Sequence, residues 1–175
     1  TISENWERIV ADENSESVLV NRASQGLYPP GSTFKVVTAL EYIRQNPSDY
    51  ENYSYRCSGS IQEGSSKLSC FSGEVHGSVD LKRSFVKSCN TSFANMGLSF
   101  DAEKFAKTCG GLLFNQPLPV EKMEASKSSF VLNKTSSTSE IMETSIGQGR
   151  TLVTPLHMLM ITSAIANNGV LQTPY

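Results

Sequence analysis

The sequence predicts a mainly α domain that carries one small β-hairpin. Three observations lead there. An apolar run at helical spacing follows Ser32, through Phe34, Val36, Val37, Ala39, Leu40, Tyr42 and Ile43. A second run follows Thr154-Pro155, through Leu156, Leu159, Met160, Ile161, Ala164 and Ile165. Between them, residues 48–77 turn to Ser, Gly, Tyr and Asn and leave room only for short extended pieces. A chain of 175 residues fits one domain and can bury a core.

Taken in order, Trp6 to Val10 predicts a helical turn or two, Asn14 to Ser17 a loop, and Val18 to Val20 a brief apolar piece. Pro29 and Pro30 restrict the backbone, Gly31 lets it turn, and Ser32 opens a helix that Asn46-Pro47 stops. That helix is apolar on nearly all sides, which predicts a buried rather than an amphipathic one. Tyr53–Cys57 and Lys67–Phe71 predict the hairpin, with Gly59–Ser66 as its turn and Cys57 facing Cys70. His76 reads as a surface or turn residue. Ser78 is the expected N-cap of the next helix, with Asp80 in its first turn. Thr91 to Leu98 resumes an apolar helical pattern, and Ser99 and Asp101 start another helix that Gly110-Gly111 ends. Cys109 reads as buried. Leu112 to Val120 holds two prolines and is irregular, Glu121 to Ser139 is a polar surface loop, and Glu140 to Ser145 a short helix. Thr154 caps the last helix, Pro155 opens it, and Asn167-Asn168-Gly169 ends it, with His157 at or near the surface.

Composition excludes several classes. Fifteen basic and seventeen acidic residues give a net charge of −2, with the signs mixed along the chain. Nothing there favours nucleic acid or an anionic membrane surface. No apolar run reaches bilayer length, and the first residues do not form a signal peptide. The four cysteines allow three full disulfide pairings. They contain no Cys-x-x-Cys pair, which weighs against a zinc site, and no metal or cofactor is expected. The chain does not start with Met, and reads as a soluble piece of a longer protein.

The chemistry centres on Ser32 and Lys35. Three residues apart, they share one face of the first helical turn. A serine hydroxyl becomes a useful nucleophile when a neighbouring base takes its proton. A lysine serves as that base when burial favours its neutral amine. The helix N-terminus adds N–H groups and a positive dipole end suited to an oxyanion. Spacing alone does not make the case, because Ser84 and Lys87 repeat it on an ordinary helix. The setting does: Pro-Pro-Gly before the serine and a buried helix after it. Ser88-Cys89-Asn90 falls in the turn between two short helices and offers a hydroxyl and an uncharged amide.

Asn21-Arg22-Ala23, Gln25-Gly26 and Tyr28 through Lys35 resemble the first active-site motif of penicillin-binding protein transpeptidase domains, most of all the monofunctional, class B kind. Trp6 and Asp12 also match positions that precede that motif. The family uses Ser-x-x-Lys, Ser-x-Asn and Lys-Thr-Gly. The resemblance covers essentially residues 1–175, read as a partial transpeptidase (penicillin-binding) domain. It implies the helical part of a penicillin-binding-protein/β-lactamase-like α/β fold, with most of the central sheet outside this stretch. It implies catalytic roles for Ser32, Lys35 and Ser88, and substrate binding by Asn90. Ser88 would relay protons, and Asn90 would hold the substrate's backbone. The Gly147-Gln148-Gly149 loop would shape the cleft.

The activity implied is a serine D,D-transpeptidase that cross-links peptidoglycan stem peptides and is acylated by β-lactams. Its place is the outer side of the bacterial cytoplasmic membrane, in a membrane-anchored parent associated with cell-wall synthesis proteins. Alternatives of the same fold are a β-lactam sensor and a serine β-lactamase. No glutamate here has the Glu-x-x-x-Asn spacing of the class A β-lactamases. Lys-Thr-Gly is absent from the 175 residues, so the isolated stretch is expected to be inactive. An extracytoplasmic domain with this predicted hairpin also implies a Cys57–Cys70 disulfide.

Overall fold

A computed structural model describes residues 3–11 and 20–174. Asp12, Asn14–Ser17 and most of the Val18–Val20 segment lie outside the described residues. Seven α-helices appear among those described: α1 (Trp6–Ala11), α2 (Lys35–Gln45), α3 (Leu81–Val86), α4 (Asn90–Leu98), α5 (Ala102–Gly111), α6 (Thr138–Ser145) and α7 (Pro155–Ala166). Four short strands accompany them: β1 (Tyr55–Cys57), β2 (Ser60–Glu63), β3 (Ser66–Ser69) and β4 (Gly77–Val79). No described helix is long and apolar enough to cross a membrane.

The helix boundaries follow local chemistry. Asp80 caps α3 by accepting from the Arg83 N–H at 2.6 Å, and Asp101 caps α5 by accepting from Glu103 and Lys104. Ser137 and Glu140 form a reciprocal capping box at the start of α6. Thr154 accepts from the His157 N–H, with Pro155 at the first helical position. Asp80, not Ser78, is therefore the cap of α3; Ser78 is taken up by β4.

The strand pairing differs from the sequence expectation. β2 and β3 make the hairpin, with Ile61 opposite Leu68, so the stretch read as a turn is itself a strand. β1 pairs instead with β4, Tyr55 opposite Val79 and Cys57 opposite Gly77. The β1–β4 pairing joins segments on either side of the hairpin, so no local pattern encodes it. Cys57 and Cys70 still meet: the β2–β3 ladder continues past Ser60–Ser69 in the bond from the Cys70 N–H to the Gly59 carbonyl, two residues after Cys57.

The core gathers round Phe34, just before α2. Its ring packs against Phe114 at 5.8 Å, Phe130 at 6.2 Å and Phe105 at 6.3 Å between centroids. Val37, Cys109, Leu132, Val153 and Ile161 complete this cluster. A second cluster joins Phe93 and Met96 of α4 to Tyr53 and Ile146. Phe130 and Leu132 fall in the stretch expected to be a surface loop. Their large apolar side chains pull it inward although its neighbours are polar. His157 is also buried, its Nε2 within 2.7 Å of the Leu112 carbonyl. In α7 the apolar pattern overstates the core, since Leu159 and Ile165 are exposed. In α2 only Arg44 is exposed, yet the deepest positions include polar Lys35, Thr38 and Glu41.

Candidate functional site

Gly31–Phe34 forms a 3-10 turn that leads directly into α2. This places Ser32 exposed at the head of the helix and turns Lys35, one residue into it, inward. Lys35 is 2% exposed. Its Nζ lies 3.2 Å from Ser32 Oγ, 2.9 Å from Ser88 Oγ, 2.7 Å from the Ser88 carbonyl and 2.6 Å from Asn90 Oδ1. The face of Phe93 closes one side, its centroid 5.6 Å from the amine. The four residues expected from the sequence, Ser32, Lys35, Ser88 and Asn90, are thus brought to one point. The second Ser-x-x-Lys behaves differently: Ser84 is buried and bonds Asp80 and Ser92, while Lys87 is exposed.

Burial lowers the Lys35 pKa from 10.5 to about 8, with Cys89 and Cys70 acting in the opposite sense. The hydrogen bonds also accommodate the neutral amine, the minority form at pH 7. Asn90 donates its Nδ2 to the Ser69 carbonyl, which fixes Oδ1 toward Lys35. Asn90 Oδ1 and the Ser88 carbonyl can only accept, so they use the two N–H bonds of a neutral amine. The lone pair is left for a hydroxyl, and Ser32 and Ser88 are the two hydroxyls within reach.

Two backbone features hold the turn. Ser88 adopts φ +48°, in the left-handed region, which aims both its carbonyl and its hydroxyl at the amine. Gly147 sits against the Ser32 turn: its carbonyl accepts from the Gly31 N–H at 2.7 Å. A Cβ on Gly147 would collide with the Gly31 carbonyl and come within 2.7 Å of Phe34 Cβ. The Gly-Gln-Gly loop is therefore a wall of the site, as expected. Ser32, Ser88 and Asn90 line a cleft of about 220 Å³, with Phe71, His76, Ile146 and Gln148 around them.

Sequence reasoning missed His76 and the sulfur cluster beside it. The His76 side chain is only 4% exposed. Its Nδ1 lies 3.4 Å from Cys57 Sγ and 3.6 Å from Cys70 Sγ. Cys57 and Cys70 are free thiols with sulfurs 3.7 Å apart, not the expected disulfide. Three cysteines and a histidine inside residues 57–89 were the available signal, but they come from four separate segments. Burial pushes the Cys89 thiol up to about 12.

The family profile of the penicillin-binding protein transpeptidase domain matches residues 4–175. The chain belongs to the penicillin-binding protein transpeptidase family. Among its relatives, the peptidoglycan D,D-transpeptidase PbpA of Mycolicibacterium smegmatis is 30% identical over 173 residues, 97% of this chain and 34% of that one. The ceftriaxone acyl-enzyme complex of Mycobacterium tuberculosis penicillin-binding protein A superposes with a TM-score of 0.85 at 29% identity, covering 99% of this chain and 39% of that one. The Helicobacter pylori complex of penicillin-binding protein 2 with MreC gives a TM-score of 0.85 at 28% identity, covering 98% and 33%. This penicillin-binding-protein chain spans about a third of the length of the curated relatives it first matches. The mainly α architecture with a small hairpin is that of the corresponding part of the transpeptidase fold.

Proposed function

We propose that this chain supplies the nucleophile, base and Ser-x-Asn motif of a serine D,D-transpeptidase that cross-links peptidoglycan stem peptides. The observation that carries the reading is the buried Lys35 amine, in reach of both Ser32 Oγ and Ser88 Oγ. Ser32 Oγ attacks the penultimate D-alanine carbonyl of a stem peptide as its proton passes to neutral Lys35. Ser88 returns a proton to the departing D-alanine amine as the acyl-enzyme forms. Lys35 reprotonates Ser88 and is neutral again; the amine of a second stem peptide then attacks the ester and gives up a proton to Lys35, which passes it to Ser32 Oγ as the ester C–O bond breaks. Backbone N–H groups at the head of the Ser32 turn stabilise the oxyanion. Asn90 holds the substrate's peptide backbone.

β-Lactams present a strained amide to the same serine, and the M. tuberculosis relative is recorded as a ceftriaxone acyl-enzyme. The M. smegmatis relative is named for the transpeptidase reaction, and the H. pylori relative is complexed with MreC. These support an extracytoplasmic protein on the outer side of the bacterial cytoplasmic membrane, associated with cell-wall synthesis proteins. The test is labelling of the intact protein with fluorescent penicillin. We expect one adduct per chain, mapped to Ser32 by mass spectrometry and abolished by Ser32→Ala. An adduct that persists in Ser32→Ala sinks the assignment.

A further inference from the structure

The cleft that holds Ser32 carries two opposite charges that the acyl-transfer chemistry leaves unused. Glu74 and Lys87 both line it, from different segments of the chain. Glu74 follows the Phe71–Gly73 turn before β4, and Lys87 ends α3, next to Ser88. We propose that Glu74 and Lys87 form a subsite for a stem-peptide side chain that ends in an α-amino carboxylate, so that the third residue of the preferred acyl donor is diaminopimelate rather than lysine. This rests on the transpeptidase reading and adds a substrate class to it.

Neither charge neutralises the other. Lys87 is exposed, and its amine has no hydrogen-bond or ion-pair partner among the described residues. Glu74 is also exposed, and its carboxylate has a single polar partner among them, the Nε2 of His76 at 3.6 Å. The backbone beneath both is held. The Gly73 N–H donates to the Cys70 carbonyl at 2.9 Å, the Glu74 N–H to the Phe71 carbonyl at 3.0 Å, and the Lys87 N–H to the Arg83 carbonyl at 2.9 Å. Asn90 Nδ2 donates to the Ser69 carbonyl at 3.1 Å, which ties the start of α4 to the strand that leads into the Glu74 turn. Charged side-chain ends on a fixed backbone lose little order when a ligand binds.

The pair of signs selects the ligand. The third residue of a stem peptide lies next to the D-alanine that acylates Ser32, so its side chain reaches along the same cleft. A lysine side chain ends in an ammonium alone. A diaminopimelate side chain ends in one carbon that bears both an ammonium and a carboxylate. Glu74 matches the ammonium of either, and only diaminopimelate offers Lys87 a partner. A lysine end leaves the Lys87 cation beside a like charge, which discriminates further. Phe71, 85% exposed on the same turn, gives the hydrocarbon part of the side chain an apolar face to lie on. Of Lys82, Arg83 and Lys87, the cations that α3 and its C-cap carry, only Lys87 lines this cleft. Glu74 and Lys87 are specificity-determining residues, and binding at them makes and breaks no bond.

The experiment measures the second-order rate of Ser32 acylation in the intact protein by penicillins that differ only at the end of the acyl side chain. The D-α-aminopimeloyl compound carries both charges, the ε-aminocaproyl compound the ammonium alone, and the pimeloyl compound the carboxylate alone. We expect the D-α-aminopimeloyl compound to react about fivefold faster than the ε-aminocaproyl one, the size that a partly exposed ion pair supplies. Lys87→Ala should bring that ratio to about one, and Lys87→Glu should invert it. Glu74→Gln should slow the two ammonium-bearing compounds relative to the pimeloyl one. Lys82→Ala removes the same charge from the same helix away from the cleft, and should keep the ratio. With Ser32 fully labelled, a ratio below about two in the unaltered protein would overturn the subsite alone. So would an unchanged ratio in Lys87→Ala, or an equal loss in Lys82→Ala, which would assign the preference to the general field of the helix. No adduct at Ser32 with any of these compounds would overturn the transpeptidase reading and the subsite with it.

Discussion

Asn90→Asp puts a carboxylate where an amide oxygen now sits 2.6 Å from the Lys35 amine. The two side chains have nearly the same shape, so the change is one of charge. At pKa 8, about a tenth of Lys35 is neutral at pH 7; at its ordinary 10.5, about three in ten thousand would be. Coulomb's law at 2.6 Å, with an effective dielectric of about 20, gives an attraction of about 6 kcal/mol. Desolvating the new carboxylate cancels part of this, and close opposite charges shift a pKa by about 1–3 units. The charged amine gains, so the Lys35 pKa rises. The neutral fraction at pH 7 then drops about 10- to 1000-fold. The assay is the second-order rate of acylation by fluorescent penicillin from pH 6 to 10. In the unaltered protein the rate should rise with pH to a midpoint near 8 and level off above it. In Asn90→Asp the midpoint should move up by at least about one unit. Asn90→Ala adds no charge, so it should slow acylation with a midpoint within about half a unit of the original. A midpoint that stays near 8 in Asn90→Asp would refute Lys35 as the base whose neutral form limits acylation.

Three further outcomes follow from the packing. Gly147→Ala combines a left-handed φ of +75° with a collision against the Gly31 carbonyl; it should destabilise by about 2–3 kcal/mol in denaturant titration and slow acylation as the Ser32 turn shifts. Phe130→Ala removes a ring packed against Phe34, Phe105 and Phe114; a loss of about 3–5 kcal/mol is expected, and less than about 1 kcal/mol would contradict its place in the core. A chain limited to these 175 residues, which contain no Lys-Thr-Gly, should acylate at least about a hundredfold more slowly than one that carries that motif.

Local chemistry was legible in the sequence, and long-range pairing was not. The Ser32–Lys35 contact spans one helical turn, so the spacing, taken with the Pro-Pro-Gly before it and the buried helix after it, could place it. The Thr154-Pro155 start of α7 and the Asp101 start of α5 are equally local. Bringing Ser88 and Asn90 to Lys35 takes contacts 53 and 55 residues apart, and there only the family resemblance pointed the way. The β1–β4 pairing, the inward turn of Phe130 and the burial of His157 depend on partners distant in the chain. The Ser137–Glu140 capping box was a readable signal that would have set the start of α6 correctly. The sulfur cluster had no such signal, because its spacings of 13, 6 and 13 residues follow from how two strand pairs lie together.

Ser88 holds a backbone conformation that a non-glycine residue adopts at a cost of about 1 kcal/mol. Glycine at this position would relax the turn and remove the hydroxyl that reaches Lys35. Stability and chemistry therefore pull in opposite directions at a single residue. A library selected only for heat resistance would accept glycine at position 88, while one selected on penicillin labelling would discard it. The gap between those two selections measures how much folding stability the protein gives up to keep a proton relay where the amine can use it.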